Sequence, residues 1–348
     1  KSLGLKKQEL IELEAIYRNV TTLYYQYFFT KRDSKFQEEI QLITQDINRE
    51  NLKSAKAKHA FFEIKAVEYV IIGDIDKHHE LRKEQLFHLF SLEVFKDDYL
   101  HRLLVLSNLF IKLKSKGFII QLSRYLDIMG NIFPPSLLIK RDRVFMEKYY
   151  DIFFLNQCFL QTWNPDQNKI DELVTLFNNI ISKKYISNQF LIGRIYLSLV
   201  ELYILTDQYK SAIPLLVDFF NLSKKNKHSK HYIEGDIHFL VVNYLMKKNE
   251  TLENSLVAVN RKIKSYNIEL DPDQLTLLSL LNDISKNDVK DLNFYFNSLK
   301  NKQLYKIYIY KLTKNIPTDK IRKEYFPIND LEYDENQDDF LKSLKKFY

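Results

Sequence analysis

Apolar residues return every three or four positions along most of this chain, the rhythm of α-helices that each bury one face. The pattern is densest between Gly193 and Phe220, GRIYLSLVELYILTDQYKSAIPLLVDFF. Ile192, Ile195, Tyr196, Leu199, Leu202 and Tyr203 form one stripe, Thr206, Asp207 and Gln208 interrupt it, and Ile213, Leu216, Val217 and Phe220 form a second. This predicts two short antiparallel helices joined by a tight turn, with Pro214 in the first turn of the second helix, where a missing N–H costs little. Neither helix can bury its stripe alone, so each needs its partner and a further neighbour.

Similar stripes run through the rest of the chain. Phe36, Ile40, Ile43 and Ile47 follow a cap expected at Asp33 or Ser34. Ala60, Ile64, Val67 and Ile71 precede Gly73, and Leu100, Leu103, Leu104, Phe110 and Ile111 precede Gly117. Phe145, Tyr149, Ile152, Phe153 and Phe159 mark the most apolar helix, and Ile233, Ile237, Leu240, Val241 and Tyr244 another. First helices of successive pairs are expected near 51, 97, 142, 187, 230 and 271, a period of about 41–46 residues that marks a helical-hairpin solenoid.

The fold class expected is all-α: a right-handed α-solenoid of antiparallel helix pairs, TPR-like or HEAT-like. N-terminal helices would occupy 1–50, repeats 51–300, and capping helices with an acidic tail 301–348. Pro134–Pro135 is the one break suited to a domain boundary, read here as a loop between repeats. LYKIYIYKL (Leu304–Leu312) alternates like a strand, but a lone strand has nothing to pair with, so a capping helix is expected there. NDLEYDENQDD, beginning at Asn329, reads as a mobile or draped tail, and Phe340–Tyr348 as a last short helix.

One unit carries a family resemblance. Tyr196, Leu199, Tyr203, Tyr209, Ala212, Leu216 and Phe219 sit at the spacings of the tetratricopeptide repeat, which this stretch resembles. Val200 and Asp207 stand where that repeat has small residues, and Lys224 and Lys225 where it closes with Pro. The resemblance implies a partner-binding groove lined by Arg194, Leu197, Glu201, Ile204 and Leu205; three of these are apolar, so neighbours could cover them instead. Analogous placement on the flanking first helices adds Asn156, Gln157 and Asn243.

Composition sharpens the class. With 6 Gly and 7 Pro in 348 residues, turn formers are scarce, as suits helices rather than many-stranded folds. One cysteine excludes an intrachain disulfide framework and favours a reducing, cytoplasmic setting. Cys158 itself lies in an apolar run and reads as a small buried hydrophobe. The start, KSLGLKKQELIELEAIY, reaches acidic residues too soon for a signal peptide. Lys1 is not Met, so further sequence is expected upstream. The longest uncharged run, Ile152–Pro165, is about 14 residues and too short to span a bilayer, so no membrane insertion is expected.

Catalytic signatures are missing. There is no G-x-S-x-G, no phosphate-binding glycine loop and no H-E-x-x-H, so an active site could arise only from residues gathered by folding. No catalytic residue, metal ligand or cofactor is assigned. Around Asp74, Asp76, His78, His79, Glu80 and His88, the aspartates are expected to cap a helix and the histidines to be solvated. His231, Glu234 and His238 share a helical face, but the sequence offers no further ligand near them.

The net charge of +7 is gathered in clusters, including Lys112–Lys114–Lys116, Lys140–Arg141–Arg143, Lys183–Lys184, Lys247–Lys248 and Arg261–Lys262–Lys264. A further basic patch lies at Lys224, Lys225, Lys227 and Lys230. Stacked in a solenoid, such clusters could meet nucleic acid. Most fall at expected helix C-termini, where cations offset the macrodipole, and that reading is preferred. The function expected is a protein- or peptide-binding scaffold. The alternative is a nucleic-acid-associated or regulatory protein, with a DNA-binding part upstream of Lys1.

Overall fold

The computed structural model describes residues 2–29, 35–133, 143–224, 229–286, 288–299, 303–314, 329, 333–334 and 336–347. The described residues are all-helical, with 16 α-helices, three short 3-10 turns and no strand. The chain divides into two compact units, residues 1–140 with 329–348, and residues 141–328. The division falls shortly after Pro134–Pro135, and those two prolines lie outside the described residues, as do Asp33 and Ser34.

The first unit contains α1 (Ser2–Phe29), α2 (Lys35–Thr44), α3 (Ala55–Ile72), α4 (Ile75–Ser91), α5 (Tyr99–Lys116) and α6 (Ile119–Ile132). Both α1 and α2 pack on α3, which packs on α4, followed by α5 and α6 in turn. Val20, Ile40, Ala57, Ile64 and Ile71 are fully enclosed where α1, α2 and α3 meet. Side-chain oxygens of Ser54, Asp74 and Asp98 accept bonds from Ala57 N, Lys77 N and His101 N, satisfying helix-start donors that would otherwise be orphaned.

Described residues near the C-terminus contact this unit. Asn329 N donates to Gly117 O at 3.1 Å and its side-chain amide to Lys116 O at 2.5 Å. Asp338 caps the final helix, Asp339–Leu344, through Leu341 N. Phe340 packs its ring 5.1 Å from Phe87 and 5.8 Å from Tyr125.

The second unit contains α7 (Arg143–Trp163), α8 (Gln167–Ser182), α9 (Gln189–Leu205), α10 (Tyr209–Leu222), α11 (Lys230–Leu245), α12 (Asn249–Ser265), α13 (Pro272–Ser285), α14 (Leu292–Ser298) and α15 (Gln303–Lys314); the final helix of the chain, in the first unit, is α16 (Asp339–Leu344). α9 is buried on nearly every side, as its all-round apolar sequence requires, and packs on α7, α8, α10 and α11. LYKIYIYKL is helical within α15, which packs on α11 and α13. Pro214 lies inside α10 rather than in its first turn, so the carbonyl one turn earlier loses its amide donor.

Helices α3, α5, α7, α9, α11 and α13 start at 55, 99, 143, 189, 230 and 272, separated by 41 to 46 residues. One turn chemistry recurs at helix ends. Gly73, Gly117, Lys184, Asp207, Lys247 and Asn267 all have positive φ. In each case the next residue's N–H reaches back to a carbonyl five positions earlier, at 2.8–3.1 Å, which is the Schellman closure. At four of these ends a non-glycine pays a left-handed backbone cost, φ 49–61°. Exposed Lys247 is the clearest test. Lys247→Gly is expected to stabilise the second unit by about 0.5–1 kcal/mol, read as a raised melting temperature.

Candidate functional site

α9 was expected to present a groove, and its side chains are instead largely engaged. Leu197, Ile204 and Leu205 are buried in the core. Arg194 Nη2 is 2.7 Å from Asp151 Oδ1 on α7. Asn156 is buried and its amide donates to Ile152 O of its own helix at 2.6 Å; Asn243 is buried, and Gln157 is half-buried. Among these, Glu201 is the residue brought into a chemical cluster.

That cluster is assembled from three helices. Glu201 on α9 meets Glu234 and His238 on α11, one donor atom of each lying within 4.8 Å of the others. His238 is 0% exposed, and its Nε2 lies 3.4 Å from Glu201 Oε1 without making a hydrogen bond. Its other nitrogen, Nδ1, is 3.4 Å from the Tyr308 hydroxyl on α15, whose ring stands edge-on to the imidazole at 5.8 Å. Burial above all, then the charge of Glu201, pushes the Tyr308 hydroxyl far above its ordinary range, so it stays a neutral O–H. His231 Nδ1, one helical turn from Glu234, is 3.5 Å from Glu234 Oε2. On α15, Lys311 pairs with Asp207 at the end of α9 and sits 5.8 Å over the Tyr209 ring.

Cys158 is buried, as its sequence setting suggested. Burial raises its thiol, and the Glu201 charge adds to the rise, so it carries no thiolate for nucleophilic chemistry at neutral pH.

In the first unit, α1, α3 and α5 enclose an open cleft of ≈ 490 Å³. Leu10, Ala60, Phe95 and Leu104 contribute apolar lining, and Glu14, Tyr17, Lys56, His59, Glu63 and His101 polar lining. Burial works to raise the Glu63 carboxyl, but the Arg82 charge and hydrogen bonds from Arg82 and Gln85 outweigh it and hold it below its usual range. Arg82 Nη1 and Gln85 Nε2 both reach Glu63 Oε1, at 2.9 and 2.6 Å. Burial lowers the His59 imidazole, although Glu63 opposes this. The cleft therefore offers a fixed carboxylate, a neutral imidazole and apolar walls, an arrangement suited to binding. Sequence reasoning did not find it, because its residues come from α1, α3, α5 and the turn at Phe95, far apart in the chain.

The histidines of α4 correct the expectation that they are solvated. His78 and His79 are 5% and 2% exposed, and Asp74 alone caps the helix while Asp76 pairs with Lys112 at 2.9 Å. Of the basic patch, Lys224 is exposed just beyond α10; Lys225, Lys227 and the Lys230 side chain lie outside the described residues. Elsewhere, Lys262 is 2.7 Å from Asp236 and 4.8 Å over the Tyr232 ring. No helix among the described residues is long and apolar enough to cross a membrane.

Comparison of the chain with protein-family models, curated proteins and solved structures finds no match.

Proposed function

We propose that this chain is a protein- or peptide-binding scaffold built as an α-solenoid of antiparallel helix pairs. The observation that carries the reading is the cleft between α1, α3 and α5, whose ≈ 490 Å³ can seat side chains of a partner segment and whose walls mix apolar surface with fixed charge. The near-constant spacing of first helices supports the repeat architecture. The α9 positions that the tetratricopeptide resemblance marks for binding serve packing and ion pairing in this reading, and the partner docks on the first unit.

Selection of a displayed peptide library on the wild-type chain tests this. Peptides so obtained are expected to lose at least tenfold in affinity for Ala60→Trp, which fills the cleft, and to bind Arg194→Glu normally. Binding unchanged by Ala60→Trp but lost on Arg194→Glu would return the site to α9. A salt-sensitive DNA gel shift, abolished by neutralising Lys224, Lys225 and Lys227, would favour the nucleic-acid reading instead.

A further inference from the structure

We propose that Glu201, Glu234 and His238 form a binding site for a divalent transition-metal ion of the zinc class, clamping α9 to α11. The first argument is the donor set. Two carboxylates and one imidazole, with donor atoms within 4.8 Å of one another, match three-ligand sites that leave a further position for water, and two carboxylates offset the charge of a divalent ion.

The second argument is independent of the carboxylates. His238 Nε2 is enclosed, faces Glu201 Oε1 at 3.4 Å and makes no hydrogen bond. A buried ring nitrogen left without a partner is costly, and a metal bond to its lone pair would satisfy it. Nδ1 then carries the proton and donates to the Tyr308 hydroxyl oxygen, at 3.4 Å, which fixes the tautomer as outer-shell partners of metal-bound histidines do.

The geometry needs only local adjustment. Tetrahedral donors at bonds of ~2.0–2.2 Å stand about 3.3 Å apart. The Glu201 and Glu234 side chains are 21% and 20% exposed, so both carboxylates can rotate inward, and an ion can enter past them. His231, 3.5 Å from Glu234 Oε2, holds that carboxylate from outside.

The test is equilibrium dialysis of the full chain against Zn²⁺, with metal counted by mass spectrometry, and the visible spectrum of the Co²⁺ form. Wild type is expected to retain one Zn²⁺ per chain and to give the intense bands of low-coordinate Co²⁺. Glu201→Gln with Glu234→Gln should reduce affinity at least a hundredfold while circular dichroism stays unchanged. Tyr308→Phe, a positioning change, should weaken binding about tenfold. If His238→Ala fails to fold, the isosteric Glu→Gln pair still decides. Wild type retaining no Zn²⁺, retaining as much as the Glu→Gln pair, or giving only the weak bands of hydrated Co²⁺ would overturn the site.

Discussion

Between pH 6.5 and pH 4 the first unit is expected to lose about 4–6 kcal/mol of stability through His78 and His79 alone. Both imidazoles fall from 6.5 to about 4 in the fold. For His78 the first cause is burial, then the Arg82 charge, with Glu63 opposing. For His79 it is burial, then Lys83 and Lys112, with Glu80 opposing. The sign follows from the depressed folded values. Above the unfolded value near 6.5 both rings are neutral in either state, and stability is at its full level. As pH falls below it the unfolded chain takes up protons that the folded chain refuses, so stability is lost progressively until pH reaches about 4. At ~1.4 kcal/mol per unit, each ring contributes about 2–3 kcal/mol, a large share of the 5–15 kcal/mol of a typical domain. Hydrogen exchange in α3–α5, followed against pH, measures this, and His79→Gln should remove about half of the slope. Imidazole resonances titrating near pH 6.5 in the folded chain would refute it.

The same helix shows what the sequence could and could not disclose. The buried face of α4 carries His78, His79, Arg82, Gln85, Leu86 and Leu89, a regular helical stripe in which four of the six residues are polar. Periodicity scored on apolar residues sees only its end, so burial of the histidines was invisible. Arg82 explains why that face tolerates burial: it contacts Glu63 and Gln85, and its Nε reaches His78 Nε2 at 3.4 Å. Local signals did better at helix ends than inside helices, where Pro214 was placed a turn too early. The stops at Gly73 and Gly117 are set by neighbours within a few residues and were legible, and the α4 cap was narrowed to Asp74 and Asp76, of which Asp74 makes it.

What failed was any question about coverage. The apolar stripes of α9 marked it as a helix needing neighbours, and the apolar character of Leu197, Ile204 and Leu205 left open that neighbours cover them, but did not show which helices would do so. His238 and Glu234 were visible as one face of α11, and Glu201 as a separate position on α9. Their meeting depends on the register of α9 against α11, whose backbones approach the Phe219 ring at two glycines, Gly193 and Gly235.

Those glycines make the sharpest packing prediction: Gly235→Ala is expected to destabilise the second unit by about 1–3 kcal/mol. A Cβ on Gly235 would stand 2.3 Å from Phe219 Cε1 and 2.8 Å from Cδ1. The ring cannot easily swing aside. It is fully buried, lies 5.4 Å from the His231 ring and 5.5 Å from that of Phe220, and closely faces Gly193, where a Cβ would meet its Cε2 at 3.3 Å. Phe219 is thus threaded between the backbones of α9 and α11, and a methyl group forces either the ring or a helix to move. Working the other way, Gly→Ala inside a helix gains up to ~1 kcal/mol of backbone propensity, so the clash must exceed that gain to show. Gly130 in α6 provides the contrast, since a Cβ there meets nothing within 4 Å. Gly130→Ala should therefore stabilise by about 0.5 kcal/mol, opposite in sign for the same chemical change. Thermal melts of the two variants, with Gly235→Ala/Phe219→Leu as a third, separate the terms. Leu in place of the ring should relieve the clash, so the double variant should be more stable than the sum of the single effects allows. A Gly235→Ala variant as stable as wild type would mean that α9 and α11 do not approach as closely as this packing requires, and the placing of Glu201 beside His238 would fall with it.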